Sequence, residues 1–298
     1  MSDNIVKKQS LNIIITNSLQ NDFIEKQNIE HIKQETIEDP WKIDYDILTD
    51  RWHEYFRECL ILPDQNEVGV FLNKLKDIPS KDIPYSYHKF LEHYHHRVHV
   101  DIQQTEKLWS SDTLPTFILD LKKRSAEANQ NKTGNVYYFI HLRDWHDPTD
   151  QAEREELCNF GYHCIKGSHG AQFISPLKEF IEEDNTFTHV INSNSLSSFS
   201  DTNLESILES IITNNQSSKE DVKIGVFGVI TNIKLKLLTF ELKVIHGFKN
   251  VYVCKDLSAG FNQKGHDDGL KYMENVLGVK LYNEDEFREE FQFPKIKF

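Results

Sequence analysis

The stretch VFGVITNIKLKLL, residues 226–238, closes an apolar run and enters a helical pattern whose first turn contains Lys234. The start of a helix carries partial positive charge, which disfavours an ammonium by about 0.3–1 kcal/mol. A desolvated lysine with a lowered pKa would be an amine nucleophile, whereas an exposed or ion-paired lysine would remain a cation. Elsewhere His163 and Cys164 are adjacent, which makes a Cys–His nucleophile conceivable. His88, His93, His95, His96 and His99 crowd one segment. Their 93/96 and 95/99 pairs have the spacing to chelate on a helix face, or simply to sit on a solvated or partner-facing helix.

These groups need elements to position them. Six β-type runs stand out: Leu11–Thr16, Asn135–Leu142, Thr186–Asn192, Val222–Val229, Asn250–Cys254 and Val279–Tyr282. Several are continuously apolar, as strands covered on both faces of a parallel sheet must be. Helical patterns lie between them, at Leu114–Ala128, Ala171–Glu183, Asp201–Thr213, Asn232–Ile245 and His266–Leu277. The alternation predicts an α/β fold, a three-layer α/β/α arrangement around a roughly six-stranded parallel sheet with right-handed crossovers. Reactive groups are then expected at the carboxyl ends of the strands. Those ends are Asn17–Phe23, Arg143–Pro148 with Gly161–Gly170 after it, Asn192–Phe199, the Lys234 turn, and Lys255–Gly260.

About 90 residues separate the first strand from the Leu114 helix, far more than a crossover requires. Their apolar spacing is helical, so residues 25–105 read as an inserted helical subdomain in a single domain with its core at 8–24 and 106–298. The formal charge of −13 opposes non-specific attraction to nucleic acid or anionic lipid. The opening residues MSDNIVKKQS carry no apolar signal-type stretch, and no run of about 18 apolar residues predicts a membrane span. Cysteines 59, 158, 164 and 254 show no CxxC or framework spacing, consistent with a reduced, cytoplasmic setting.

In order along the chain come an apolar strand running into SLQNDF, a strand running into RDWH, HCIKGSHGAQF, GVFGVITN entering a helix, and VYVCKDLSAG. With these motifs, spanning residues 11–23 and 112–282, the sequence resembles the isochorismatase-like cysteine hydrolases, which include nicotinamidases and carbamoyl amidases. The resemblance implies a hydrolase fold and an Asp–Lys–Cys triad with the cysteine at a helix start, where its thiolate is stabilised. Here the position of the triad Asp is Ser18, that of the Lys is Ser193 (anchored by Phe199), and that of the Cys is Lys234 (anchored by Thr231). Asp22 matches a different, structural position of the motif.

The resemblance therefore implies a ligand pocket at Ser18, Phe23, Ser193, Phe199, Thr231 and Lys234 with no catalytic member of the triad. It also implies a divalent-metal site, for Zn, Fe or Mn, at Asp144, His146 and His163. Residues i and i+2 of an extended segment face the same way, and one carboxylate with two imidazoles suits an open site; the same groups could equally hydrogen-bond their loop. Cys164 lies in the motif's HC dipeptide, where the thiol is not the nucleophile, and Asp256 matches a loop-organising residue. Two functions stay open. One is a pseudo-hydrolase that binds a small ligand or protein, as a homo- or hetero-oligomer through the sandwich or the 25–105 region. The other is a diverged hydrolase of an amide, carbamoyl or vinyl-ether substrate, using the metal or a relocated nucleophile.

Overall fold

Strand β1 (Ser10–Asn17, SLNIIITN) is apolar at successive positions and buried along nearly its whole length. Ile14 points to one face of the sheet and Ile13 and Ile15 to the other, the alternation that a pleated strand imposes. The computed structural model describes residues 10–24, 108, 113–131, 134–147, 156, 163–164, 166–167, 170–182 and 187–293. The expected subdomain at 25–105, with the histidine cluster inside it, lies outside these residues.

All six expected strands form: β1, β2 (Asn135–Asp144), β3 (Thr188–Ser193), β4 (Lys223–Gly228), β5 (Asn250–Cys254) and β6 (Lys280–Tyr282). They pair in parallel in the order β3-β2-β1-β4-β5-β6. The short helix α1 (Asn21–Ile24) follows β1, and beneath one face lie α2 (Thr113–Asn131), α3 (Ser175–Glu182) and α7 (Glu284–Glu290), packed through Phe117, Leu121, Leu177, Phe287 and Phe291 onto Ile14, Phe139 and Phe227. On the other face lie α4 (Leu204–Asn214), α5 (231–245) and α6 (Gln263–Asn275), packed through Leu208, Leu235, Leu238 and Met273 onto Ile13, Ile15 and Val226. Each fully buried Ile or Phe contributes roughly 1.5–3 kcal/mol, so both faces share in holding the sheet. None of the described helices is long and apolar enough to cross a membrane.

The strand order reverses direction between β1 and β4, and this opens a crevice beyond their carboxyl ends. There Gly228 has φ +128°, and a Cβ on it would lie 2.1 Å from the Asn17 carbonyl oxygen, so only glycine lets the two strand ends approach. The Val229 N–H donates to that carbonyl at 2.9 Å. A cis peptide joins Val229 and Ile230, and α5 begins immediately after it.

Helix α5 is not uniformly α-helical. Thr231–Leu235 and Glu241–Ile245 are π-helical turns flanking an α segment, Lys236–Phe240. Its first turn is locked against α6. Thr231 Oγ1 is hydrogen-bonded to His266 Nδ1 at 2.9 Å, and the Thr231 N–H donates to Ala259 O at 2.9 Å. Asn232 packs onto Gly260, Gly265 and Gly269; a Cβ on Gly269 would lie 2.8 Å from the Asn232 Cα. Because that neighbour is backbone and cannot swing aside, Gly269→Ala should cost about 1–3 kcal/mol. Urea unfolding should show a lowered midpoint at unchanged slope, and an unaltered midpoint would contradict this packing.

Candidate functional site

The site is built at the ends of β1, β2 and β4. Asp144 is the last residue of β2 and its side chain is buried. Gln20 fixes that strand end: its Nε2 donates to Asp144 O (2.8 Å) and Ala171 O (2.9 Å), and its Oε1 accepts from the Asp144 N–H (2.7 Å). Burying the carboxamide with every bond made explains why Gln20 is fully enclosed without penalty. Two further bonds hold the following segments together. The His146 N–H donates to Cys164 O at 3.1 Å, and the Lys166 N–H donates to His146 O at 2.9 Å. This small ladder brings the His146 and His163 rings to a centroid separation of 4.7 Å.

Asp144 Oδ1 is the meeting point. It accepts from Ser18 Oγ at 3.3 Å and from the ammonium of Lys234, which reaches it from the first turn of α5. Lys234 is 5% exposed and Asp144 2%, so this is a buried ion pair. Asp144 Oδ2 accepts no hydrogen bond from any described residue and faces His163 Nε2 at 4.0 Å. Glu156 completes the group. Its Oε1 lies 3.7 Å from Lys234 Nζ and 3.9 Å from the Nε2 atoms of both His146 and His163.

Charge sets the protonation states. Burial alone would push Asp144 up, but Lys234, His146 and His163 together hold it below its usual value of 3.8. For Lys234 burial pulls down, yet the Asp144 and Glu156 carboxylates and the hydrogen bond to Asp144 raise it above 10.5. Burial pushes Glu156 above 4.5, with Lys234 pulling it back and Asp144 pushing it further up. The helix start that disfavours a cation at position 234 is thus overridden by two carboxylates.

A cavity of about 20 Å³, room for roughly one water-sized group, opens beside the ion pair. Ser18, Asp144, Glu156, His163 and Lys234 make its polar wall; Phe23, Leu196, Val229, Ile230, Ile233 and Phe261 make the apolar one. Of the pocket residues expected from the sequence, Ser18, Phe23 and Lys234 line it, and Ser193, Phe199 and Thr231 do not. Ser193 Oγ is turned into its own loop, 2.9 Å from the carbonyls of both Ser195 and Ser197. Phe199 packs on the opposite face of the sheet and stacks on His246 at 4.0 Å. The Thr231 hydroxyl is spent on His266. Asp256 Oδ2 accepts from the Glu284 N–H at 3.0 Å and so organises the start of α7.

The expected metal ligands Asp144, His146 and His163 do converge, and the structure adds Glu156. Nothing in its sequence setting, one acid among the neighbours of EREEL, distinguishes Glu156 from a solvated helix face. The four residues each offer a ligand atom, and these atoms all lie within 4.8 Å of one another. Contacts of 3.9–4.0 Å between Nε2 and carboxylate oxygens are too long for hydrogen bonds and close to twice a metal–ligand bond of about 2.0–2.2 Å. The donor set therefore fits a divalent ion such as Zn, Fe or Mn, and the cluster could bind one.

Nicotinamidase PncA from Bacillus subtilis matches this structure with a TM-score of 0.51 at 14% identity, over 91% of this chain and 99% of that one. A second structure, of nicotinamidase/pyrazinamidase PncA from the same organism, gives 0.50 at 14% identity, over 92% of this chain and 100% of that chain. An isochorismatase-like hydrolase from Alkaliphilus metalliredigens gives 0.49 at 15% identity, over 95% and 99%. The B. subtilis matches show that the fold is the isochorismatase-like one. No protein-family model matches the chain, and a search of the curated proteins finds no match either.

Because the folded value of Asp144 lies below 3.8, the carboxylate contributes stability above that pH and loses it as pH falls through the depressed value. In a ¹³C carboxyl titration Asp144 should give a midpoint below 3.8 and Glu156 one above 4.5. Lys234→Met should raise the Asp144 midpoint, because burial then acts without the cation that opposes it. An unmoved midpoint would mean that the lysine does not set the charge of this carboxylate.

Proposed function

We propose that this chain is a pseudo-hydrolase: an isochorismatase-like fold that serves as a binding module and no longer works through an Asp–Lys–Cys triad. The observation that carries this reading is the ammonium of Lys234 on Asp144 Oδ1, at the strand-to-helix turn where the resemblance places a nucleophilic cysteine. An ammonium has no electron pair to attack a carbonyl. With a pKa above 10.5, fewer than roughly one lysine in a thousand is neutral at pH 7.

The other candidate nucleophiles support the same reading. Among the described residues no cysteine lines the cavity. Cys164 is fully buried with Sγ 4.0 Å from Gly170 O, and burial pushes the Cys254 thiol up. Ser18 donates its hydroxyl to a carboxylate that is already held by Lys234, so Asp144 is a poor base for it. What remains is a small half-apolar cavity with a charged floor, suited to holding a small polar group rather than cleaving it.

One observation favours a second reading. The convergence of Asp144, His146, Glu156 and His163 is the donor set that a metal-dependent hydrolase of an amide, carbamoyl or vinyl-ether substrate would need. Turnover of nicotinamide and of N-carbamoyl compounds, followed by ammonia release, and of vinyl ethers, followed by carbonyl release, with and without added Zn²⁺, Fe²⁺ or Mn²⁺, separates the two. The binding-module reading predicts no release above buffer under any metal. Release that is lost in His146→Ala would overturn it in favour of the metal hydrolase.

A further inference from the structure

Lys234 and a divalent ion would compete for the same carboxylate. Asp144 Oδ1 holds the Lys234 ammonium, and Asp144 is also one of the four residues whose ligand atoms converge. We propose that Lys234 is an intramolecular competitor for this ion site, a tethered cation whose charge beside both carboxylates must be displaced before a divalent metal binds there tightly. The inference does not depend on whether the protein turns over a substrate.

Three observations carry it. Asp144 is 2% exposed, and its Oδ2 accepts no hydrogen bond from any described residue while it faces His163 Nε2 at 4.0 Å. One oxygen of this buried carboxylate is thus taken by the lysine and the other is aimed into the gap between the donors. Second, Lys234 Nζ also lies 3.7 Å from Glu156 Oε1, so the tether sits against both carboxylates of the cluster. Third, the charges favour one cation at a time. With neutral imidazoles, Asp144 and Glu156 contribute two negative charges and Lys234 one positive. A divalent ion added beside the lysine leaves a buried net positive charge, whereas the same ion replacing the lysine leaves the cluster neutral. In a low-dielectric interior the neutral arrangement is the favoured one.

The test is calorimetric titration of ZnCl₂ into the full chain, into Lys234→Met and into Lys234→Met/His163→Ala. The parent isotherm also accounts for any zinc taken up by the histidines between residues 88 and 99. Lys234→Met should gain one site that binds Zn²⁺ at least about tenfold more tightly than any the parent shows at this cluster, and the added His163→Ala change should remove the gain. A variant that folds only when Zn²⁺ is supplied also supports the competition, since the metal then does what the lysine did. Equal or weaker binding in Lys234→Met overturns the proposal. So does a gain that survives His163→Ala, and so does a variant that no zinc concentration restores to the folded state.

Discussion

The structure turns on one buried ion pair, Lys234 with Asp144. Taking two charges out of water costs several kcal/mol each, and only a partner in contact with good geometry recovers that cost. Lys234 projects from the first turn of a helix, where the backbone itself repels a cation. Its charge is tolerable there only because Asp144 is in contact and Glu156 lies within 3.7 Å. The arrangement of the strand ends can be understood as what this pair requires. Gln20 holds the end of β2 that bears Asp144, and Gly228 lets β1 and β4 approach so that α5 begins over the carboxylate.

The same requirement explains the close contact between α5 and α6. The three glycines facing Asn232 bring the first turn of α5 down onto α6, and Thr231 is pinned to His266. The first turn of α5 is π-helical, and such wider turns are frequent at functional sites. Nicotinamidases share this fold, and a thiolate at the start of such a helix would be stabilised without a partner. A lysine needs carboxylates nearby, and the fold supplies them from β2 and from the segment containing Glu156.

The architecture is legible because burial on both faces writes apolar runs into the central strands β1, β4 and β5, while the flanking strands β3 and β6 carry shorter apolar stretches. Boundaries were missed where local bonding competes with helix. The helix expected from Ala171 begins at Ser175, because Phe173 bridges to Gln20 and Gln172 O and the Ile174 N–H bond to the Asn21 and Leu19 backbones. Helix α6 begins at Gln263, before the expected His266, since Asn262 caps it by accepting from the Gly265 N–H. Helix α7 was not anticipated, although Asn283 and Glu286 form a capping box that the sequence displays. The short helix Asn21–Ile24 left no periodic signal. In the site, Asp144, His146 and His163 are readable through motif spacing, and an ion-paired Lys234 is one of the two states that its sequence position allows. Glu156 was not readable, because only tertiary folding turns one of several neighbouring acids inward. The inward pointing of Ser193 and Phe199 was likewise inferred from motif position, and their own loop and the opposite core claimed them instead.

Lys234 and Asp144 act as one unit. A double-mutant cycle measures this directly, from the unfolding free energies of the parent, Lys234→Met, Asp144→Asn and the double variant. Each single change strands a buried charge and should cost about 3–5 kcal/mol. The double variant should cost less than the sum of the two by at least about 1.5 kcal/mol. Costs that add to within about 0.5 kcal/mol would contradict the account, because the two side chains would then be independent.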